Sequence, residues 1–146
     1  MSKTNIKLNS AWDGGFKGKG QIAGEKFEVE IGIPADLGGS GAGANPKELF
    51  TSATAACFLA TLRAITENKK VPVETLSVTT EAVADDKSFS IRHTAHVTLK
   101  AGSSEADQMA GEAAIASADK VCVVGNLARK ADVDIEVVPA VAIAAA

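Results

Sequence analysis

Two cysteines, Cys57 and Cys122, are the side chains of this 146-residue chain best suited to covalent chemistry. A thiolate is a strong nucleophile, and two thiols can close and reopen a disulfide. Each lies in an apolar stretch: Ser52-Ala53-Thr54-Ala55-Ala56-Cys57-Phe58-Leu59-Ala60, and Val121-Cys122-Val123-Val124-Gly125. Such settings suit a small buried packing residue and push a thiol pKa up. A reactive Cys57 therefore needs a cation or a helix dipole beside it, and its own stretch supplies neither. Cys122 is expected in or just past the last turn of a helix, where the dipole disfavours a thiolate. That place suits a resolving thiol better than a nucleophile. Residue types alone leave packing and redox chemistry both open.

The other chemistry-bearing residues are dispersed. His93 and His96 stand three apart on an expected strand, which points them to opposite faces and argues against a shared metal ion. They are expected at the surface or half-buried. Asp85 and Asp86 fall in a turn, and Glu28 and Glu30 both point outward from one strand, so neither pair reads as an acid–base dyad. Gly38 to Asn45 precedes a helix start, where an anion could bind. Its spacing matches neither the P-loop nor the dinucleotide fingerprint, and a tight or mobile turn accounts for it better.

These residues must be positioned by an alternation of strands and helices. Ile6 to Trp12, Gly20 to Ala23 and Phe27 to Ile33 read as strands, the last with Phe27, Val29, Ile31 and Ile33 on one face. Asp13-Gly14-Gly15 reads as a turn. Pro34 to Ala44 is a break in which four of eleven residues are glycine. Asn45 as N-cap, Pro46 at N1 and Glu48 at N3 start a helix that should run to about Asn68. Its apolar stripe is read at Leu49/Phe50, Ala53, Ala56/Cys57, Ala60 and Ala64. Polar residues are sparse from Ala53 to Leu62, so this helix is expected to be buried nearly all round, which calls for a second helix or subunit. Strands near Val73 to Asp85 and from Ser88 to Leu99 form a hairpin around Asp85-Asp86-Lys87. Ser103 or Ser104 caps a second helix with apolar positions at Ala110, Ala113, Ala114, Ala118 and Val121, ended by Gly125-Asn126. Asp132 to Val138 is a last strand, stopped by Pro139, and the tail Ala140 to Ala146 should fray. The order is βββ-α-ββ-α-β, antiparallel groups separated by helices, which is an α+β fold.

Size and composition set the outer bounds. One domain, residues 1–146, accounts for the length. The chain is 46% hydrophobic and 23% charged, with a net charge of -3. No run of Lys or Arg exceeds two, so no electrostatic attraction to nucleic acid is expected. Met1 to Ser10 is polar and lacks a signal-peptide core, and the apolar runs fall short of a membrane span. A cytoplasmic protein without membrane attachment, metal or cofactor is the expectation. Its reducing surroundings make a permanent disulfide improbable.

Gly38-Gly39, then Gly43-Ala44-Asn45-Pro46-Lys47-Glu48-Leu49-Phe50 and Ala55-Ala56-Cys57-Phe58, resemble the OsmC/Ohr family of osmotically inducible and organic hydroperoxide resistance proteins. Trp12-Asp13-Gly14 with Gly18-Lys19-Gly20 looks like the OsmC-type first hairpin, and Pro34 to Gly39 looks like the Ohr type. Ala118-Asp119-Lys120-Val121-Cys122 resembles the segment that holds the second cysteine. The resemblance spans nearly the whole chain. It implies antiparallel sheets around long central helices, an intertwined homodimer, and a thiol peroxidase acting on organic hydroperoxides. Cys57 would become a sulfenic acid, Cys122 would condense with it to a disulfide, and a dithiol or lipoyl-type reductant would reopen the bond. Glu48 would be the third catalytic residue.

Three positions depart from the family pattern. The residue after the helix-starting Pro is Lys47, with Glu48 one later. No Arg occurs before Arg63, although the family carries an early Arg that lowers the thiol pKa. The second cysteine reads Cys122-Val123-Val124-Gly125 where the family carries Cys-Pro-x-Ser. Lys47 and Cys57 are also about 15 Å apart along one straight helix, at 1.5 Å per residue. Lys17, Lys19, Lys47, Arg63 and Arg129 are the candidate replacement cations. The altered motifs keep a second function in view, a non-enzymatic dimer of the same fold that holds an apolar small molecule at its interface. A phosphate or nucleotide binder through Gly38 to Asn45 is the third.

Overall fold

The computed structural model describes residues 3–146; Met1 and Ser2, the start of the polar segment noted above, lie outside the described residues. The chain divides into two compact units, one ending at Phe50 and one spanning Thr51–Ala146. The element order is βββ-α-ββ-αα-β, an α+β arrangement with one helix more than the sequence pattern predicts.

In the first unit, β1 (Asn9–Asp13), β2 (Lys19–Ala23) and β3 (Glu28–Ile31) form an antiparallel sheet in the order β1-β2-β3. Trp12 pairs with Gly20, and Ile22 with Val29. Gly20 lies so close to its neighbours that an added Cβ would come within 2.7 Å of the Trp12 ring and 2.8 Å of the Ile31 side chain. β3 is shorter than its alternation suggests, β1 begins at Asn9 rather than Ile6 and runs to Asp13, and β2 gains Lys19 at its start. The glycine-rich segment is a hydrogen-bonded turn: Gly38 and Gly39 N–H donate to Ala35 O and Pro34 O, and Ala44 N–H donates to Glu30 O.

The long helix α1 (Pro46–Asn68) starts where Asn45 and Pro46 place it. Asn45 Oδ1 accepts from Glu48 N–H at 2.8 Å, the N-cap bond. From Thr51 onward the helix belongs to the second unit. Its buried stripe is Thr54, Phe58, Leu62 and Thr66, spaced by fours. Ala53, Ala56, Ala60 and Ala64, read as the apolar stripe, are exposed on the other side. The two threonines hide in the core because each hydroxyl donates to a carbonyl of its own helix, Thr54 to Thr51 O at 2.7 Å and Thr66 to Arg63 O at 3.1 Å. In length and composition α1 also matches a membrane span, though with only 22% of the window buried. That amends the expectation that no apolar run is long enough.

β4 (Val73–Ala84) and β5 (Phe89–Leu99) form the expected hairpin. Asp85 shapes its turn, accepting from Lys87 N–H at 2.8 Å and Ser88 N–H at 2.7 Å. α2 (Glu105–Val121) opens with a full capping box between Ser104 and Asp107. It buries Gly111, Ala114, Ile115 and Ala118; Ala110, Ala113 and Val121, expected inside, are exposed.

Two further expectations are corrected. α2 does not continue to Gly125-Asn126. The backbone extends at Cys122 (φ -66°, ψ 107°), and a separate helix α3 (Val123–Lys130) begins there. The last strand β6 (Asp134–Ile143) pairs parallel to β5, not antiparallel, and includes Pro139. In the sheet order β4-β5-β6 it is an edge, where proline's missing donor is tolerated. Most of the alanine tail expected to fray is therefore strand. The core of this unit joins Phe58 and Leu62 of α1, Ala95, Val97 and Leu99 of β5, Ala114, Ile115 and Ala118 of α2, and Cys122.

Candidate thiol active site

Cys57 and Cys122 lie 65 residues apart in sequence, yet Cys57 packs against the core cluster that contains Cys122, and each thiol bears on the other's titration, lowering that of Cys57 and raising that of Cys122. Both are free thiols; Cys57 is half-buried and Cys122 is buried. α1 places Cys57 one position before Phe58, so the anchoring of Phe58 in the core holds the thiol at the core's edge. The break between α2 and α3 places Cys122, which ends the one helix and N-caps the other.

Their surroundings drive them apart. Burial pushes the Cys57 pKa up, but hydrogen bonds from the Val124 N–H, the Cys122 thiol, the Thr61 hydroxyl and the Val123 N–H outweigh it. The net result holds Cys57 below the ordinary thiol value. Burial pushes Cys122 up to about 11, helped by its bond to Cys57 and by the charges of Cys57 and Asp119, against one donor, the Gly125 N–H. The pair is thus biased in opposite senses, Cys57 towards the thiolate and Cys122 towards the protonated thiol. Cys57's own stretch was read as supplying neither cation nor dipole; the amides that count towards its lowered pKa belong to a separate element, the first turn of α3.

Glu48, the other sequence candidate, stands in the first turn of α1 in the first unit, with its N–H on Asn45. Of the candidate cations, Arg129 is committed elsewhere: it donates to Asp119 Oδ1 and Ile135 O, both at 2.8 Å, and to Asn126 Oδ1 at 3.4 Å. Arg63 pairs with Glu67 at 3.1 Å, and Lys19 with Glu30 at 3.3 Å. Lys17 and Lys47 both lie in the first unit.

Sequence reasoning missed Thr61, Val123 and Val124. Thr61 carried a signal, since it lies one turn after Cys57 on the same helix. The two valines carried none, because their contribution is backbone. His93 was expected at or near the surface and is 2% exposed. Its ring stacks on Phe58 at 5.2 Å between centroids, and its Nδ1 hydrogen-bonds Thr80 Oγ1 at 2.8 Å. Burial is the main cause that lowers its pKa; the Asp119 charge raises it and the Arg129 charge lowers it. His96 lies on the other face, exposed, with Nε2 3.1 Å from Thr79 Oγ1. Among the described residues no group of three or more His, Cys, Asp or Glu could hold a metal ion.

Comparison with known proteins adds to this geometry. Residues 38–138 match the family model described as OsmC-like protein. The chain is 28% identical over 127 residues to the uncharacterised protein YmaD of Bacillus subtilis (strain 168), covering 84% of this chain and 80% of that one. It is 32% identical over 59 residues to an organic hydroperoxide resistance protein of Xanthomonas axonopodis pv. citri (strain 306), covering 40% and 42% of the two chains. Among solved structures, an organic hydroperoxide resistance protein OsmC of Legionella pneumophila superposes with a TM-score of 0.65 at 26% identity, over 94% of this chain and 99% of that one.

Proposed function

The chain belongs to the OsmC-like protein family, and from that premise we propose that it is a thiol peroxidase that reduces organic hydroperoxides. The observation that carries this reading is the pair of thiols at one core cluster, one held below the ordinary pKa and the other raised to about 11. The names of the Xanthomonas and Legionella relatives, organic hydroperoxide resistance proteins, agree with it.

In the proposed cycle, the Cys57 thiolate attacks one oxygen of the peroxide O–O bond. That bond breaks, the sulfur is oxidised by two electrons to the sulfenic acid, and the alkoxide leaves as an alcohol after taking a proton from water. The Cys122 sulfur then displaces hydroxide from the sulfenic acid; its thiol proton leaves with that hydroxide as water, and a disulfide forms. A dithiol, of the lipoyl type, reduces the disulfide by exchange and is itself oxidised to a cyclic disulfide. Glu48 is carried as the third site residue, to be tested alongside.

We assign the working form as a homodimer, residues 1–146 acting as one domain in each copy. In the first unit the strand residues other than Gly20 are exposed or half-exposed, and such a sheet is not stable without a surface to pack on. The exposed alanine face of α1 supports the same assignment. Two free thiols at one core cluster fit a reducing compartment, the cytoplasm.

The test is consumption of cumene hydroperoxide with dihydrolipoamide as reductant. Turnover is expected, Cys57→Ser should reduce it to background, and Cys122→Ser should stall with a sulfenic acid that dimedone traps. Glu48→Gln in the same assay should slow turnover. Absence of turnover together with a Cys57 inert to stoichiometric hydroperoxide removes the reading and leaves the non-enzymatic binder.

A further inference from the structure

We propose that Gly125 is a positioning residue for the Cys122 thiol: by carrying no side chain it leaves the notch in which the Cys122 sulfur is seated for closure onto Cys57. The inference deepens the peroxidase reading and rests on it for its purpose, while the seat itself is a matter of packing.

Glycine is a poor choice within α3, because it loses more backbone freedom than any other residue and alanine would hold the helix better. A left-handed backbone does not call for it, since Gly125 is not among the glycines with positive φ. Gly125 is also buried, so solvent does not surround it. What excludes a side chain is the neighbour. A Cβ added at Gly125 would stand 3.3 Å from Cys122 Sγ, and 3.7 Å from Cys122 Cβ and Ile135 Cδ1. Carbon atoms at the larger distance pack normally. Of these atoms only the sulfur would meet the methyl too closely.

The notch has no slack. Cys122 is 3% exposed and belongs to the core cluster of Phe58, Leu62 and Ala118. α3 is held against drawing back. Asn126 Nδ2 donates to Lys120 O at 2.9 Å across the break, and Arg129 donates to Asp119 Oδ1 of α2 and Ile135 O of β6, both at 2.8 Å. A methyl at position 125 must therefore be taken up by the thiol, which shifts by a fraction of an ångström or turns to another staggered position. Cys57 packs against the same cluster from α1, so the displacement falls on the sulfur that has to reach it.

Diamide tests the seat in the full-length protein without hydroperoxide. The Cys57 thiolate adds to one nitrogen of its N=N bond, and the other nitrogen takes a proton from water. The Cys122 sulfur then displaces the hydrazine, which carries off the Cys122 proton, and an intrachain disulfide remains. Gly125→Ala should slow the second step, followed by mass as conversion of the adduct to the disulfide, about tenfold, where a misplacement of about 1 Å costs about 10²-fold. The first step should keep its rate, whereas a merely structural fault would slow both alike. Thermal melts supply a second measurement. In a Cys122→Ala background the methyl fits, so Gly125→Ala should raise the melting temperature there, and raise it less or lower it where Cys122 is present. The proposal is overturned if the second step keeps its rate or quickens, if both steps slow alike, or if Gly125→Ala moves the melting temperature equally in both backgrounds. An unaltered protein whose adduct never closes overturns it as well. Failure of hydroperoxide turnover alone would remove the peroxidase reading and leave these readouts standing.

Discussion

Cys57 and Cys122 are the same chemical group, burial pushes both pKa values up, and yet they titrate in opposite directions. The difference lies in the number and kind of donors. Cys57 collects two backbone amides, a hydroxyl and a thiol, while Cys122 receives one amide and faces the negative charges of Cys57 and Asp119. His93 is a further titratable group set by burial. The groups facing it are the Phe58 ring, the Thr80 hydroxyl, and the charges of Asp119 and Arg129. Its folded pKa lies below the ordinary value of ~6.5, so the unfolded chain binds more protons as pH falls. The stability that neutral His93 contributes is present above ~pH 6.5 and is lost as pH falls through its folded pKa. Thermal melts should therefore be flat between about pH 7 and 8 and decline on acidification below ~6.5. His93→Gln should lower the plateau and flatten that decline; an equally steep acid slope in the variant would mean that other groups set it.

Among the elements, those with a strong period were legible. The strand β5 was expected from Ser88 to Leu99, and on its inward face Ile91, His93, Ala95, Val97 and Leu99 are all buried, His93 against the expectation of a surface or half-buried place. The start of α1 was legible because Asn45-Pro46 is local chemistry. The buried face of α1 was not. Alanine on all sides blurs the pattern, and Thr54 and Thr66 look polar in sequence while satisfying their hydroxyls within the helix. The Cys122 break had no local signal either, since neither proline nor glycine marks it and its N-cap is not one of the usual residues. What holds α3 in place after that break is tertiary: Arg129 ties Asp119 of α2, Asn126 of α3 and the Ile135 carbonyl of β6. Arg129→Met should lower unfolding free energy by about 1–2 kcal/mol, the loss of charge-assisted bonds at a site one-third exposed. Denaturant unfolding measures it. A change below about 0.3 kcal/mol, the size of an exposed pair, would mean that α3 is held by its packing alone.

At the scale of the molecule, each unit presents exposed apolar side chains. The first unit presents Trp12 at 43% exposure on a sheet with almost no interior, and Phe27, just before β3, at 52%. The second presents Leu59, Ala56, Ala60 and Ala64 on α1, opposite the stripe that fills its core. Small residues on one helix face allow another backbone to approach closely, and a face repeated in every copy is self-complementary about a two-fold axis. The proposed dimer would account for the membrane-like composition of α1 in the same way, since a helix covered on both sides needs few charges. With a chain mass of 14.9 kDa, sedimentation equilibrium should give about 30 kDa for a two-fold dimer. Ala60→Glu puts a carboxylate in the middle of the alanine face without touching Phe58 or Leu62, so the second unit's core stays intact. It should convert the dimer to a monomer that keeps the β4-β5-β6 sheet and loses the cooperative melting of the first unit, because a three-stranded sheet with no hydrophobic partner does not hold itself. A wild-type protein that sediments as a stable monomer, or an Ala60→Glu variant that remains dimeric, would move the interface off this face of α1.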